Sequence, residues 1–224
     1  SDDNHIFDYI YVHPILRKRG IPVTSYIIPG RMLGISPDGY PANLWNQPDR
    51  LHFMMERGWD IQCHTFNHLN LNELTEQEIH ESMQLVDQYF AANNLGTADH
   101  CAYPLGAGTA EYVLPIVRQY RLSTRTTYDE GNPYPYDMSF YQMNSQAIDF
   151  RTIEQLETAK AGIDQTIAEN KIYITNGHFA KFAGAEKGYE EKIEYLEEFL
   201  DYAIEKGIRI MTMDEAYRYV TSRQ

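Results

Sequence analysis

Residues 57–68, RGWDIQCHTFNH, indicate the fold class of this chain of 224 residues. Arg57-Gly58 is typical of a helix C-terminus, because glycine adopts the left-handed cap conformation and a basic side chain interacts favourably with the helix dipole. The residues that follow, Trp59 to His64, have the pattern of a short strand. The same sequence of signals recurs at Arg19-Gly20-Ile21 and at Lys206-Gly207-Ile208. The chain therefore repeats helix-then-strand units.

Further predicted strands and helices alternate along the rest of the chain. At one helix start, Thr75 and Glu78 have the spacing of a capping box, which satisfies two backbone N–H groups. The alternation predicts an α/β fold with a parallel sheet, open or closed into a barrel, whose functional residues lie where strands end. Besides the strands Ile21 to Ile28, Trp59 to His64 and Ile208 to Met213, strands are predicted at 99–103, 121–125, 140–149 and 171–176, and helices near 75–94, 109–119, 152–169 and 188–205.

Two stretches rich in Gly, Pro and aromatic residues, 29–48 and 128–136, are predicted to be long surface loops. Loops of this length are often functional, so either could border a substrate groove, although a structural insertion explains them equally well. No linker divides the chain, which we interpret as a single domain over residues 1–224.

Composition excludes several classes of partner. The formal net charge of −13 argues against nucleic acid and anionic membrane surfaces, because both bind clustered Lys and Arg. No apolar run reaches the roughly 18 residues of a membrane span, so membrane insertion is not expected. Cys63 and Cys101 are the two cysteines; they form neither a disulfide framework nor a Cys-x-x-Cys pair, and burial is expected for both.

Two histidines four residues apart follow the strand at 59–64. His64 and His68 would share one face of a helical turn, so both imidazoles could reach one metal ion. A divalent ion held in this way usually needs a third protein ligand, commonly a carboxylate, and Asp2-Asp3 is the candidate. Each part also has an ordinary explanation, since such histidine pairs arise by chance and terminal acidic pairs are usually solvated charge.

Two other segments place polar groups after predicted strands. His178 follows an apolar strand, a position where a lone histidine is more often a structural hydrogen-bonding group than a catalyst. Residues 102–106, Ala-Tyr-Pro-Leu-Gly, form a turn whose backbone N–H groups could point into a site. Taken singly, each feature has a structural explanation.

Taken together and in this order, the features resemble the polysaccharide deacetylases with a NodB-homology domain, of the carbohydrate esterase family 4 type. That family has an Asp-Asp pair, a His-x-x-x-His motif, a motif that ends in Pro-aromatic-Gly, and a histidine after an apolar strand. The matching positions here are Asp2-Asp3, His64 with His68, Pro104-Leu105-Gly106 and His178. The resemblance implies a distorted (β/α) barrel of about seven parallel strands, with its first strand truncated before Asp2.

The resemblance also implies a role for each matched residue. The residues that would bind a divalent metal, most simply Zn²⁺ with Co²⁺ or Ni²⁺ as alternatives, are Asp3, His64 and His68. Asp2 would be the general base, His178 the general acid, and the Leu105 N–H would stabilise the oxyanion. The implied reaction removes N-acetyl, or O-acetyl, groups from a sugar polymer and releases acetate. Such polymers lie outside cells, so an extracellular or cell-surface location is expected from function alone.

The chain departs from the family pattern in two supporting groups. Ala102 stands where many relatives have an arginine that orients the base, and Arg125 on a neighbouring strand is the hypothetical substitute. The Asp-x-x-Asp-Trp element that tunes the acid histidine is missing, and Asp149 is the corresponding candidate.

Three further departures concern the site itself. Leu105 replaces an aromatic residue, which is tolerable if its backbone alone acts, and Asn176 stands where an apolar residue is usual, a change that could alter acyl-group preference. Ser1 alone precedes the Asp pair, so fraying of the terminus is expected to position Asp2 and Asp3 poorly.

Two alternative functions remain open at this level. A related C–N hydrolase would act on a small amide or cyclic imide and not on acetylated oligosaccharides. A non-catalytic carbohydrate-binding module, suggested by the missing Arg and Asp-Trp elements, would bind sugar without releasing acetate. The sequence identifies neither the polysaccharide nor an oligomeric state.

Overall fold

The computed structural model describes residues 1–3, 5, 8–35, 48–126, 134–135, 139–178 and 192–223. The strands within these ranges are β1 (Val23–Ile27), β2 (Trp59–Cys63), β3 (His100–Ala102), β4 (Ser123–Arg125), β5 (Gln146–Ala147) and β6 (Thr175–Asn176). The α-helices are α1 (His13–Arg19), α2 (Pro29–Met32), α3 (Pro48–Met55), α4 (Glu76–Ala92), α5 (Val113–Val117), α6 (Ile153–Glu169), α7 (Ile193–Glu205) and α8 (Met213–Thr221). A π-helical segment (Asp8–Val12) and two 3₁₀ turns (Leu71–Glu73 and Pro104–Gly106) complete the set.

The strands form parallel sheets, as predicted. One sheet has the order β1-β2-β3-β4 and the other pairs β5 with β6. A parallel bridge between Arg125 and Met143 connects the end of β4 to the segment before β5. Because the strands are parallel, their carboxyl ends lie along one edge, and loops from that edge carry the residues of interest. Both cysteines are buried and unoxidised, and they face each other across β2 and β3.

The start of the chain is part of this arrangement rather than frayed. The Ser1 ammonium group donates to the Thr24 carbonyl at 2.7 Å, and the Tyr26 N–H donates to the Ser1 carbonyl at 2.8 Å, a parallel ladder pattern. On the other side, the Asp2 N–H donates to the Gly177 carbonyl at 2.9 Å. The expectation of a frayed terminus is therefore wrong, because residues 1–2 are buried between β1 and the segment after β6.

A largely apolar cavity of about 480 Å³ lies beside this terminal segment. Its lining includes β1, residues 171–177, residues 208–213 and parts of α6 and α7. In the described part of the chain no ladder joins β6 to β1 directly.

Several predicted elements are shorter in the structure. Predicted strand 208–213 is wrong: residues 208–212 are irregular, and α8 begins at Met213. The Thr212 side chain caps α8, and the Met213 N–H donates to Thr24 Oγ1 at 2.8 Å instead of to a strand. The helix predicted at 109–119 is reduced to α5, and β5 and β6 occupy only parts of their predicted ranges.

The two predicted loops lie only partly within the described residues. α2 forms the start of the segment 29–48, whereas residues 36–47 are outside the described ranges. Of 128–136, only Tyr134 and Pro135 are described, and Tyr134 makes an antiparallel bridge with Ile172.

Helix caps and burial follow the sequence closely elsewhere. The predicted capping box at Thr75 and Glu78 is present, with the Thr75 N–H donating to Glu78 Oε2 at 2.8 Å. The inner faces of α4 and α6 contribute buried residues such as Met83, Phe90 and Leu156 to the main core. None of the helices in the described ranges has the length and hydropathy of a membrane-crossing segment.

Gly30 allows α2 to pack directly on the loop that carries the two histidines. The Gly30 N–H donates to the Phe66 carbonyl at 2.8 Å. A Cβ at position 30 would lie 2.2 Å from Asn67 Oδ1 and 2.6 Å from the Phe66 carbonyl oxygen. Because one of these atoms is backbone, the clash cannot be relieved by a rotamer change alone.

We expect Gly30→Ala to lower the free energy of unfolding by about 3 kcal/mol, the upper range for overpacking. Gly20→Ala is the matched control: Gly20 has a φ of +65° and no atom within 4 Å of a built Cβ, so only the left-handed strain of about 1 kcal/mol applies. Urea denaturation measures both. A loss for Gly30→Ala no larger than that for Gly20→Ala would contradict the close-packing argument.

Candidate metal centre and active site

The structure brings Asp3, His64 and His68 together at the carboxyl edge of the sheet. One ligand atom from each residue lies within 4.8 Å of the others. Asp3 Oδ1 is 3.4 Å from His64 Nε2 and 3.2 Å from His68 Nε2. Ligand atoms held about 2.1 Å from a shared tetrahedral ion are separated by roughly 3.4 Å. The spacing and the donor types therefore fit a small divalent cation.

Asp3 supplies a second observation in favour of this fit. Its Oδ1 atom is buried and makes no hydrogen bond within the described residues, although the Arg31 guanidinium lies 3.4 Å away. The oxygen therefore keeps lone pairs that could bind a cation. Burial acts to raise the pKa of Asp3, but the neighbouring His64 and His68 imidazoles outweigh it and hold the pKa well below its usual range. The carboxylate is therefore ionised and available as a ligand.

His64 is oriented by a hydrogen bond on its far side. Its Nδ1–H donates to the Ala102 carbonyl at 2.8 Å, because a carbonyl oxygen can only accept. In the tautomer with its proton on Nδ1, the ring would present a lone pair to a cation on Nε2, the atom that faces Asp3. A backbone carbonyl in this position is a common way to fix a metal-binding histidine.

The loop of the two histidines is not the helical turn that the spacing suggested. Residues 64–68 are irregular, and Thr65 and His68 have left-handed φ values of 62° and 58°. The His68 N–H donates to Thr65 Oγ1 at 3.1 Å, and the Phe66 N–H donates to Ser82 Oγ at 3.2 Å. These bonds hold a conformation in which the rings approach to 4.9 Å between centroids.

Asp2 is paired with the arginine that was hypothesised to support it. Arg125 Nη2 donates to Asp2 Oδ1, and the guanidinium lies 4.5 Å from the centre of the Tyr26 ring. Burial favours the neutral form of Asp2, but the charge of Arg125 predominates among the opposing effects and lowers the pKa of Asp2. The second oxygen, Asp2 Oδ2, is buried and has no hydrogen-bond partner within the described residues.

His178 is paired with Asp149, the residue suggested in place of the missing family element. The His178 N–H donates to Asp149 Oδ1 at 2.6 Å, and His178 Nδ1 is 2.7 Å from Asp149 Oδ2. This hydrogen bond raises the pKa of His178 to about 9, although burial opposes it; the charges of Asp149, Asp2 and Asp3 add to the effect. His178 therefore carries a proton at neutral pH.

Leu105 lies in the 3₁₀ turn after β3 with a left-handed φ of 58°. Its side chain is 66% exposed, and no hydrogen bond to its N–H is found among the described residues. Asn176 is buried on β6, where its Oδ1 accepts from Ser145 Oγ at 2.9 Å. Both positions are compatible with the predicted site, and their roles stay predictions.

Sequence reasoning missed one charged residue. Arg31, at the end of α2, is 5% exposed, and its Nη1 lies 3.4 Å from Asp3 Oδ1. The available signal was its position, since a basic residue four places after β1 lies at the edge of the sheet where the other site residues lie.

Comparison with known families decides the assignment. A family model described as "Polysaccharide deacetylase" matches residues 2–124, more than half of the chain. The chain belongs to the polysaccharide deacetylase family. The matched segment includes Asp2-Asp3, His64 with His68, and the β1–β4 sheet as far as Thr124.

Individual relatives agree with this membership. The candidate polysaccharide deacetylase YxkH of Bacillus subtilis (strain 168) is 31% identical over 93 residues, which are 40% of this chain and 30% of that protein. The Streptococcus pyogenes deacetylase PplD in complex with acetate is 25% identical, with a TM-score of 0.51 over 65% of this chain and 62% of that one. The present chain thus covers less than two thirds of the length of YxkH and of PplD.

A third relative covers nearly the whole chain. The chitin deacetylase of the fungal pathogen Colletotrichum lindemuthianum has a TM-score of 0.63 and 18% identity, over 96% of this chain and 84% of that one. At this identity the likeness concerns the fold, which is that of the deacetylase family.

The His178–Asp149 contact predicts a specific titration. Asp149→Asn should move the pKa of His178 from about 9 towards or below its ordinary value of 6.5, because the amide replaces a charged acceptor with a neutral one. NMR titration of the imidazole in metal-free protein measures it. Asp164→Asn, which removes an exposed partner of Lys206, should leave the titration unchanged.

The same contact predicts how stability depends on pH. Folding raises the pKa of His178, so the protonated imidazole adds to the free energy of unfolding. This contribution is complete below about pH 6.5 and is lost as pH rises through about 9. Asp149→Asn should remove that decline from the unfolding free energy. A decline of equal size in both proteins would contradict the pairing.

Proposed function

We propose that this chain is a metal-dependent hydrolase that removes acetyl groups from an N-acetylated, or O-acetylated, polysaccharide and releases acetate. The observation that carries the proposal is the Asp3–His64–His68 cluster, with a carboxylate and a protonated histidine nearby, each held by its own charged partner. The proposal includes one catalytic domain over residues 1–224 and a distorted barrel of about seven strands.

The metal would be held by Asp3 Oδ1 and by Nε2 of His64 and His68. Zn²⁺ suits two imidazoles and one carboxylate best, with Co²⁺ or Ni²⁺ as alternatives. When bound, such an ion polarises the acetyl carbonyl and lowers the pKa of water. Within the cluster His64 is buried, whereas Asp3 and His68 are half-buried.

Asp2 is the proposed general base. Arg125 engages Asp2 Oδ1, so the unpartnered Oδ2 is the oxygen that accepts the proton from the attacking water. The lowered pKa keeps Asp2 ionised at neutral pH, in the state that a base requires.

His178 is the proposed general acid. Asp149 holds its Nδ1 side, which leaves the Nε2 proton for the leaving nitrogen as the C–N bond breaks. The Leu105 N–H is the proposed donor to the tetrahedral oxyanion. Acetate and a free amine on the sugar are the products.

The structure bears on the alternatives. The binding-module reading depended on missing supporting groups, and Arg125 and Asp149 now lie in contact with Asp2 and His178. A small-imide hydrolase would use the same chemistry, and it differs from the proposed deacetylase in its substrate. An extracellular or cell-surface location is part of the proposal, because the polymer substrate lies outside cells.

Metal binding is the first test. After chelator treatment, reloading with Zn²⁺ and desalting, wild type should retain about one ion per chain, and His68→Ala should retain none, because it loses one of three ligands. His80→Ala is the matched control and should behave as wild type, because His80 lies on α4 and is hydrogen-bonded with the Tyr120 hydroxyl. Elemental analysis gives the stoichiometry. Equal retention by His68→Ala and wild type would contradict the assigned ligands.

Activity is the second test. On acetylated glucosamine oligomers, Asp2→Asn and His178→Ala should each lower kcat by at least about 100-fold, the usual effect of a proton-transfer group, while metal content is retained. Asp164→Asn is the control and should keep wild-type kcat. Acetate release is the measurement. Hydrolysis of a cyclic imide with no acetate from the oligomers would favour the imide hydrolase instead.

A further inference from the structure

A buried arginine lies against the same oxygen that faces both metal-site histidines. Arg31 Nη1 is 3.4 Å from Asp3 Oδ1, as close as His64 Nε2. The residue is 5% exposed. It follows Gly30, whose N–H donates to the Phe66 carbonyl in the histidine loop. The backbone next to Arg31 is therefore bonded to the loop that carries the two histidines.

Arg31 gives Asp3 a counterion that is independent of any metal. A guanidinium keeps its positive charge throughout the pH range of folded proteins, and a partly buried pair is only weakly screened by solvent. In the metal-free protein this charge offsets that of Asp3, which is held in a left-handed turn at φ 68°. A divalent cation that binds Oδ1 must share the oxygen with an existing positive charge.

We propose that Arg31 competes with the divalent metal for Asp3. It holds the carboxylate in place when no metal is bound, and it lowers the affinity of the site for the ion. This role rests on the proposed metal site and makes Arg31 a positioning residue. A purely structural role predicts the opposite sign, because loss of a support for Asp3 would weaken metal binding. The direction of the affinity change therefore decides between the two.

The experiment compares the whole chain with Arg31→Met and Arg31→Lys. Each protein is stripped of metal, and its Zn²⁺ affinity is measured by competition with a chromophoric chelator. Arg31→Met should bind Zn²⁺ at least about tenfold more tightly than wild type, whereas Arg31→Lys, which keeps the charge, should stay within about threefold. Arg218→Met is the matched control, since Arg218 pairs with Asp214 on an exposed surface, and it should leave the affinity unchanged.

Thermal unfolding gives a second readout. Arg31→Met should have a lower Tm than wild type without metal and a larger increase in Tm when Zn²⁺ is added. If this variant folds only with Zn²⁺, the rate at which excess chelator removes the ion replaces the equilibrium measurement, and release slower than from wild type is expected.

The outcomes separate this role from the metal site itself. Arg31→Met could bind Zn²⁺ no more tightly than wild type, or release it at an equal or faster rate. Either result overturns the role of Arg31, provided that His68→Ala still abolishes Zn²⁺ uptake. Absence of Zn²⁺ uptake by wild type and by every Arg31 variant overturns the metal site and the inference together.

Discussion

Backbone hydrogen bonds on both sides of Ser1 and Asp2 position the whole site. They join the terminal residues to β1 on one side and to Gly177 on the other. The backbone of Asp2 thereby becomes part of the sheet, and its side chain meets Arg125 at the end of β4. Asp3, one residue later, is turned towards the histidine loop by its left-handed backbone. A shift of this short segment would separate both carboxylates from their partners.

Buried charge is the second constraint, and it is met by pairing. A carboxylate removed from water is costly unless a cation or several hydrogen bonds compensate it. Asp2 is matched by Arg125 and Asp3 by Arg31, and Asp3 Oδ1 also faces the His64 and His68 imidazoles. At His178 the carboxylate of Asp149 lies beside the imidazole and favours its protonated form. The pairs keep the proposed base, Asp2, ionised and the proposed acid, His178, protonated at the same pH.

Backbone strain is concentrated where these groups meet. Four of the seven non-glycine residues with positive φ in the described ranges belong to the site: Asp3, Thr65, His68 and Leu105. Thr65 is notable because a β-branched residue is disfavoured in this conformation. Strained residues of this kind persist only where surrounding contacts hold them, and here the Cys63, Ser82 and Gly30 contacts do so.

Local patterns in the sequence were sufficient for the α/β class, the parallel strands and the capping box at Thr75, because periodicity and capping act over a few residues. The resemblance of the motifs and their order to the deacetylase family predicted the grouping of Asp3 with His64 and His68. Local patterns failed at 208–212, where a side-chain cap on Thr212 competes with strand formation, and at the histidine loop, where spacing alone could not reveal left-handed residues. The contacts of Arg125 with Asp2, Asp149 with His178 and Arg31 with Asp3 join residues 28 to 123 positions apart. Only the tertiary structure decided these, because the distance between two charges depends on how the strands and loops pack and not on their separation along the chain.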